Sequence, residues 1–173
     1  MINRAKIDAE MAQIDYGWVD KNGGRHEQLA GFSDNYVLQL SAELRQSKLG
    51  VCWDQVELER KLFAQQNVEA HTFFIVYFGK NNYPTHTFLL AKEGDKIVWY
   101  EHAWMKHAGW HEFATLEDAL REVRKIFISV EVKEEFDPYQ LCIYEYAAPT
   151  EKLTCYEFYR HCQAGESFNE KLG

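Results

Sequence analysis

Gly50-Val51-Cys52-Trp53-Asp54 opens the segment that decides the fold. From Cys52 to about Gln66, apolar side chains recur at helical spacing among charged ones, which predicts one amphipathic helix that begins at the cysteine. A helix start offers unpaired N–H groups and the positive end of the helix dipole, and both favour a thiolate over a thiol. Cys52 is therefore the candidate nucleophile.

Strand patterns follow this helix. Residues 69–78 are rich in β-branched and aromatic side chains, which predicts a strand. Thr85–Lys92 and Lys96–Trp104 form two further predicted strands around the hairpin signal Gly94-Asp95. Leu141–Tyr146 is the last predicted strand.

Further helices are predicted on both sides of the strands. They are a short helix within residues 1–13, a helix with Ser41 as its N-cap that ends at Gly50, a helix from Thr115 to about Ile128, and a final helix from Thr154 through Cys162 that ends near Gly165. This order predicts an α+β fold in which an antiparallel sheet packs on helices. The length of 173 residues suits a single domain over residues 1–173, with its core at about 41–146.

The hairpin loop predicts which side chains share a face of the sheet. If Gly94-Asp95 is a two-residue loop, the residues that flank it pair with each other. Counted back from that pair, His86 and Glu101 are diagonal neighbours on one face, close enough for their side chains to meet. His102 points to the opposite face and is excluded by the same parity.

These three residues have complementary roles in acyl transfer. Cys52 would attack a carbonyl carbon as a thiolate, and His86 would accept the thiol proton and later protonate the leaving group. Glu101 would hold the imidazole in the required tautomer and stabilise its charged form. The three residues are the predicted catalytic triad.

The candidate contacts for the oxyanion or the substrate are less closely defined. The backbone N–H of Cys52 lies at the helix start and can bind an oxyanion. A second donor must come from upstream, and both Gln46 and the Tyr16–Trp18 loop are candidates. Gln46, Trp18 and Trp53 are the residues we select for this role.

The motifs resemble the transglutaminase-like superfamily of papain-like cysteine enzymes. Gly50-Val51-Cys52, Thr85-His86-Thr87-Phe88 and Trp99-Tyr100-Glu101 match its three boxes in order, over about residues 41–104. The resemblance implies a papain-like core and thioester chemistry: amide hydrolysis, deamidation or amine transfer on a peptide or protein side-chain amide. The family acid is usually aspartate, and its small or polar residues after the cysteine are replaced here by Trp53-Asp54.

Other polar clusters have simpler interpretations. His102, His107 and His111 span a strand end and a loop without a completing cysteine or acid pattern, so we expect no metal site there. Cys142, Cys155 and Cys162 are interpreted as structural thiols. The acidic run Glu131–Glu135 is interpreted as a solvated surface. No organic cofactor or metal is expected.

Composition narrows the partners and the location. The 19 basic and 27 acidic residues give a net charge of −8, which disfavours nucleic acid and anionic membranes as main partners. The N-terminal residues lack the apolar core of a signal peptide, and no apolar run approaches membrane-spanning length, so we expect a cytoplasmic protein. The four cysteines form no CxxC pair and are expected to be free thiols.

Two rival hypotheses use the same residues. In the first, the chain is a catalytically inactive module of the same fold that binds a peptide or protein. In the second, Cys52 and His86 are metal ligands. Low reactivity of the Cys52 thiol would favour the first, and metal in the purified protein would favour the second.

Overall fold

The computed structural model describes residues 1–169. Its helices are α1 (Arg4–Met11), α2 (Phe32–Asn35), α3 (Ser41–Ser47), α4 (Cys52–Ala64), α5 (Leu116–Glu131) and α6 (Cys155–Gln163). Its strands are β1 (Asp15–Tyr16), β2 (Trp18–Val19), β3 (Arg25–His26), β4 (Leu49–Gly50), β5 (Ala70–Tyr77), β6 (Thr85–Glu93), β7 (Lys96–Glu101), β8 (Gly109–Phe113), β9 (Leu141–Glu145) and β10 (Glu166–Ser167). Within this range, no helix combines the length and apolar character needed to cross a membrane.

Six strands form one antiparallel sheet in the order β10-β9-β5-β6-β7-β8. In the β6–β7 hairpin, Glu93 pairs with Lys96, as the two-residue loop predicts. Gly94 takes a φ of 66°, in the left-handed region that such loops favour. The predicted register of the hairpin is confirmed, and so is the mixed class with an antiparallel sheet. The edge strand β8 was not among the predicted elements.

Helices cover both faces of this sheet. On one face, α1, α3, α4 and α6 pack on side chains such as Phe74 and Leu89. On the other face, α5 packs on side chains such as Phe73 and Trp99. Successive strand residues alternate between these two apolar clusters, because strand side chains have a period of two. The sheet is therefore buried on both sides.

Helix α4 lies at the centre of its layer. Ten of its 13 residues are buried, and they include the acids Glu57 and Glu59. Both acids are buried although the sequence pattern is amphipathic, because α1, α3 and β6 all pack on this helix. Glu57 is compensated by an ion pair with Arg60 at 3.0 Å and a hydrogen bond from the Tyr146 hydroxyl. Among the residues that the structure describes, no lysine or arginine forms an ion pair with Glu59.

The start of α4 is held by Asp54. One carboxylate oxygen accepts a 3.0 Å hydrogen bond from the Val51 N–H, so that Asp54 caps the helix from its third position. The other oxygen accepts hydrogen bonds of 2.8 Å from the Tyr36 hydroxyl and from the Gln39 N–H. Burial raises the pKa of Asp54 to about 7, although these bonds favour the carboxylate. Asp54 therefore stabilises the start of α4.

Replacement of Asp54 by alanine is expected to lower the free energy of unfolding by about 3 kcal/mol, because it leaves three buried donors without an acceptor. Urea denaturation measures the change. Asp95→Ala, in the exposed hairpin loop, is the control and is expected to change stability by less than about 0.5 kcal/mol. Equal effects of the two substitutions would contradict the capping role.

The turn before α4 differs from the prediction in detail. Ser41 is the first residue of α3 and Leu40 is its N-cap. The helix ends at Ser47, and Lys48 rather than Gly50 takes the left-handed conformation, with a φ of 55°. Gly50 is required for another reason, since an added Cβ would lie 2.6 Å from a Leu44 methyl carbon. The chain continues as β4, which pairs in parallel with β1.

The strands β6 and β7 separate at the end that faces α4. Their pairing ends at Leu89 and Tyr100, before the predicted partners of His86 and Phe88 are reached. Strand β7 stops at Glu101 rather than at Trp104, because the Glu101 carboxylate accepts the Trp104 N–H and turns the chain. The N-terminus of α4 meets the sheet at this opening, as the residues that surround Cys52 show.

Candidate active site

Cys52 is the first residue of α4. Its side chain is 8% exposed and lies at the inner wall of a groove. The preceding turn is packed against Asp54 and Leu44, which places the thiol at the positive end of a helix of 13 residues. This position favours the negative charge of a thiolate.

His86 and Glu101 form a buried pair next to this thiol. The imidazole Nε2 and the Glu101 Oε2 are 2.9 Å apart, and the two side chains are only 2% and 3% exposed. The diagonal contact expected from the hairpin register is therefore present. The second carboxylate oxygen, Oε1, accepts a 2.7 Å hydrogen bond from the Trp104 N–H. Both oxygens are engaged, which fixes the orientation of the carboxylate.

The His86 imidazole also interacts with the Cys52 side chain, which lines the same groove. Burial alone disfavours the charged ring, but the charge of Glu101 and the polar interactions with Cys52 and Glu101 outweigh it. Together they raise the pKa of His86 to about 10. The surroundings of His86 therefore favour the charged form of the ring. It lies between the thiol and the carboxylate, in the order that a triad requires.

Trp104 covers this pair. Its indole stacks on the His86 ring, with the ring centroids 3.6 Å apart and the planes at 15°. The indole N–H donates a 2.9 Å hydrogen bond to Glu131, which holds the indole over the imidazole. The interpretation of Glu131–Glu135 as a solvated surface misses this contact of Glu131. The sequence feature that could have indicated the role of Trp104 is its position three residues after Glu101.

The groove in front of Cys52 has a volume of about 990 Å³. Four of its residues are exposed large apolar side chains, at Tyr16, Leu29, Tyr83 and Tyr156. Aromatic side chains line much of it, and they are contributed by Tyr16, Phe32, Trp53, Tyr83, Trp104 and Tyr159. An apolar surface of this extent beside a polar triad is typical of a site for a ligand.

The three predicted oxyanion or substrate residues occupy different places. Trp53 lines the groove, and its indole N–H donates a 3.2 Å hydrogen bond to Thr85. Gln46 is exposed on α3 and Trp18 is buried against His26, and within residues 1–169 neither lines the groove. Tyr16, from the same loop as Trp18, does line it.

Two of the three histidines weighed as a metal cluster bond to backbone carbonyls. The His102 ring lies 2.9 Å from the Ile14 carbonyl and the His111 ring lies 2.7 Å from the His107 carbonyl. Across residues 1–169, no group of three or more His, Cys, Asp or Glu side chains has a geometry that could hold a metal ion. Cys162 is buried and Cys142 is half-buried, whereas Cys155 lines the groove beside Cys52.

The geometry thus combines a thiol at a helix start, a charged imidazole in contact with it, and a fixed carboxylate behind the imidazole. Such a set can hold a thiolate–imidazolium pair and move one proton between sulfur and a leaving group.

No protein-family model matches the chain, and a search of curated proteins finds no relative.

Proposed function

We propose that the chain is a cysteine-dependent acyl-transfer enzyme that acts on amide or ester bonds through a thioester on Cys52. His86 shuttles the proton and Glu101 orients and stabilises the imidazolium. One observation carries this proposal: a fully buried His86–Glu101 pair in contact with a cysteine at a helix start. Burial of two opposite charges is expensive and gives little net stability, so a role in chemistry explains the pair better than a role in folding.

We assign the chain to the transglutaminase-like superfamily as part of this proposal. The support is the order of parts: a helix that starts with the cysteine, then a strand with the histidine, then its hairpin partner with the acid. Glu101 replaces the usual aspartate. Glutamate is one methylene longer than aspartate. The longer side chain reaches His86 across the gap where β6 and β7 are no longer paired.

The groove supports a peptide-like substrate. Its aromatic walls suit apolar side chains next to the bond that is attacked. Glu131 and Lys133 place one charge of each sign along it, which suits neighbouring polar groups of a peptide. We propose a peptide or a protein side-chain amide as the acyl donor. The rival function, a peptide-binding module without catalysis, would use the same groove. It does not explain why the His86–Glu101 pair is buried beside Cys52.

An active-site acylation experiment tests the proposal. The protein is mixed with p-nitrophenyl acetate at about pH 7, and nitrophenolate release is followed together with peptide mass mapping. We expect a burst of one equivalent and an acetyl group on Cys52. Cys155→Ser is the matched control, because Cys155 lies in the same groove and its loss is expected to leave the burst unchanged. Absence of acetyl-Cys52 would favour the binding module.

Tyr16 is the best-placed second oxyanion donor. Strand β1 pairs Tyr16 with Gly50, two residues before the nucleophile, and the phenol interacts electrostatically with Cys52. Tyr16→Phe is expected to slow acetylation by p-nitrophenyl acetate at least about tenfold, because a donor to the tetrahedral oxyanion is lost. Alkylation of Cys52 by iodoacetamide forms no oxyanion and is expected to keep its rate. Equal slowing of both reactions would contradict this role.

A further inference from the structure

A small cavity lies between α4 and the open end of the β6–β7 hairpin. Its volume is about 10 Å³, which is the size of one water molecule. Cys52, Gln55 and Glu59 line it from the helix, and Thr87 and Glu101 line it from the strands. It is distinct from the large groove, although Cys52 and Ala103 line both.

Two buried polar atoms in this cavity lack a partner within residues 1–169. They are the Gln55 Oε1 and the Thr87 Oγ1, in side chains of residues only 2% and 3% exposed. The Gln55 amide cannot turn to solve this, because its Nε2 already donates a 2.8 Å hydrogen bond to the Gly50 carbonyl. Buried acceptors and hydroxyls are normally satisfied, by water where no protein group reaches them.

Glu59 is the third polar group at this cavity. It is 4% exposed, and no lysine or arginine in residues 1–169 forms an ion pair with it. Its charged neighbours are Cys52 and Glu57 on its own helix, with His86 and Glu101 from the strands. Burial, and then the charge of Glu101, raise the pKa of Glu59 well above its ordinary value. Tyr100 and His102 complete the titratable groups around it.

We propose that Gln55, Thr87 and Glu59 bind an ordered water molecule behind Cys52, and that Glu59 does so as an uncharged carboxylic acid. Each donor and acceptor of this water molecule then has a partner. The water donates to Gln55 Oε1 and to a second acceptor, while it accepts from the Thr87 hydroxyl and from the Glu59 acid. A carboxylate at this position would instead place a third negative group beside Cys52 and Glu101.

The water links the two halves of the candidate site. Gln55 holds the Gly50 carbonyl in the turn before Cys52, and Thr87 follows His86 on β6. A water between them ties the helix start to the strand that carries the imidazole. Glu59 is therefore a positioning residue, and this part of the inference rests on the proposed function. The water site and the uncharged acid do not depend on catalysis.

A high-resolution crystal structure of the whole chain tests the water site. We expect an ordered water within about 3 Å of both Gln55 Oε1 and Thr87 Oγ1. Thr87→Val keeps the shape of the side chain, and we expect this variant to lose the water. A cavity without a water in the wild type, or one closed by side-chain movement, would overturn the proposal.

Infrared spectroscopy tests the charge of Glu59. The carbonyl band of a buried carboxylic acid is separate from that of a carboxylate, and we expect Glu59→Gln to remove intensity from it at about pH 7. Glu57→Gln is the matched control, because Glu57 is buried on the same helix but paired with Arg60. We expect it to leave this band unchanged. An unchanged band in Glu59→Gln would overturn the assignment.

Alkylation of Cys52 by iodoacetamide separates this inference from the proposed function. An unreactive Cys52 would contradict the proposed enzymatic function. The inference about the water and Glu59 would then be decided by the crystal structure and the infrared spectrum alone. For a reactive Cys52, we expect Glu59→Gln to keep the pH profile between about pH 5 and 8, because an uncharged group replaces an uncharged group. A displaced profile would show that the substitution removed a negative charge, and it would overturn the assignment.

Discussion

His86→Ala is expected to lower the rate of Cys52 acetylation at about pH 7 by about 10³-fold. The imidazole is the only base in contact with the thiol among the residues that line the groove or the small cavity behind Cys52. General base catalysis by a positioned group contributes about 10²–10⁴-fold, and the variant also loses the positive charge that stabilises the thiolate. The burst of nitrophenolate from p-nitrophenyl acetate measures the effect.

His102→Ala is the matched control for this prediction. His102 lies one residue beyond Glu101, but it bonds to the Ile14 carbonyl rather than to the triad. We expect its rate of acetylation to stay within about threefold of the wild type, because a group outside the reacting set contributes little to general base catalysis. Thermal unfolding of both variants checks that the fold survives. Equal loss in the two variants would contradict the assignment of His86.

Glu101→Gln is expected to lower the acetylation rate at least about a hundredfold, since the third member of a triad orients and stabilises the imidazolium. The carboxylate accepts from the His86 ring through one oxygen and from the Trp104 N–H through the other. An amide has one oxygen, so glutamine cannot accept both bonds. The variant retains the shape of the side chain but loses its charge and one of these contacts.

The same variant is expected to change the pH dependence. Glu101 contributes to the raised His86 pKa of about 10 by favouring the charged ring. Without it, the imidazolium loses its proton at lower pH. The alkaline limit of the thiolate–imidazolium pair therefore moves to lower pH, and the pH profile of iodoacetamide alkylation measures this. Glu112→Gln is the control, because Glu112 forms exposed ion pairs with Lys96 and Arg4, and its pH profile is expected to match that of the wild type. If Glu101→Gln also had the wild-type profile, the role of Glu101 in stabilising the imidazolium would be contradicted.

Local sequence signals predicted the parts of the fold that depend on neighbours in the chain. The Gly94-Asp95 loop gives the register of β6 and β7, because a two-residue turn and a period of two leave little freedom. That register places His86 and Glu101 on one face of the sheet as diagonal neighbours. The caps at Thr115 and Thr154 are likewise confirmed, since each is a contact over three residues.

The unpredicted features depend on contacts between distant segments. Glu59 is buried where α4 packs on β6, beside Thr87 and Glu101, which no pattern within α4 indicates. Trp104 reaches the imidazole because Glu131, 27 residues later, holds its indole. Tyr16 enters the groove because β1 pairs with β4, and two-residue strands carry no detectable period. These contacts shape the groove and the cavity but leave the contact between His86 and Glu101 as the hairpin register predicts it.

The most direct test of the account is the relative alkylation rate of two cysteines in one molecule. Wild-type protein is treated with limiting iodoacetamide at about pH 6, and peptide mapping follows the label on Cys52 and Cys155. Both begin a helix and line the same groove, but only Cys52 contacts His86, and burial raises the pKa of Cys155. We predict labelling of Cys52 at least about tenfold faster than that of Cys155. Equal rates, or a Cys52 no faster than free cysteine, would contradict activation by the His86–Glu101 pair.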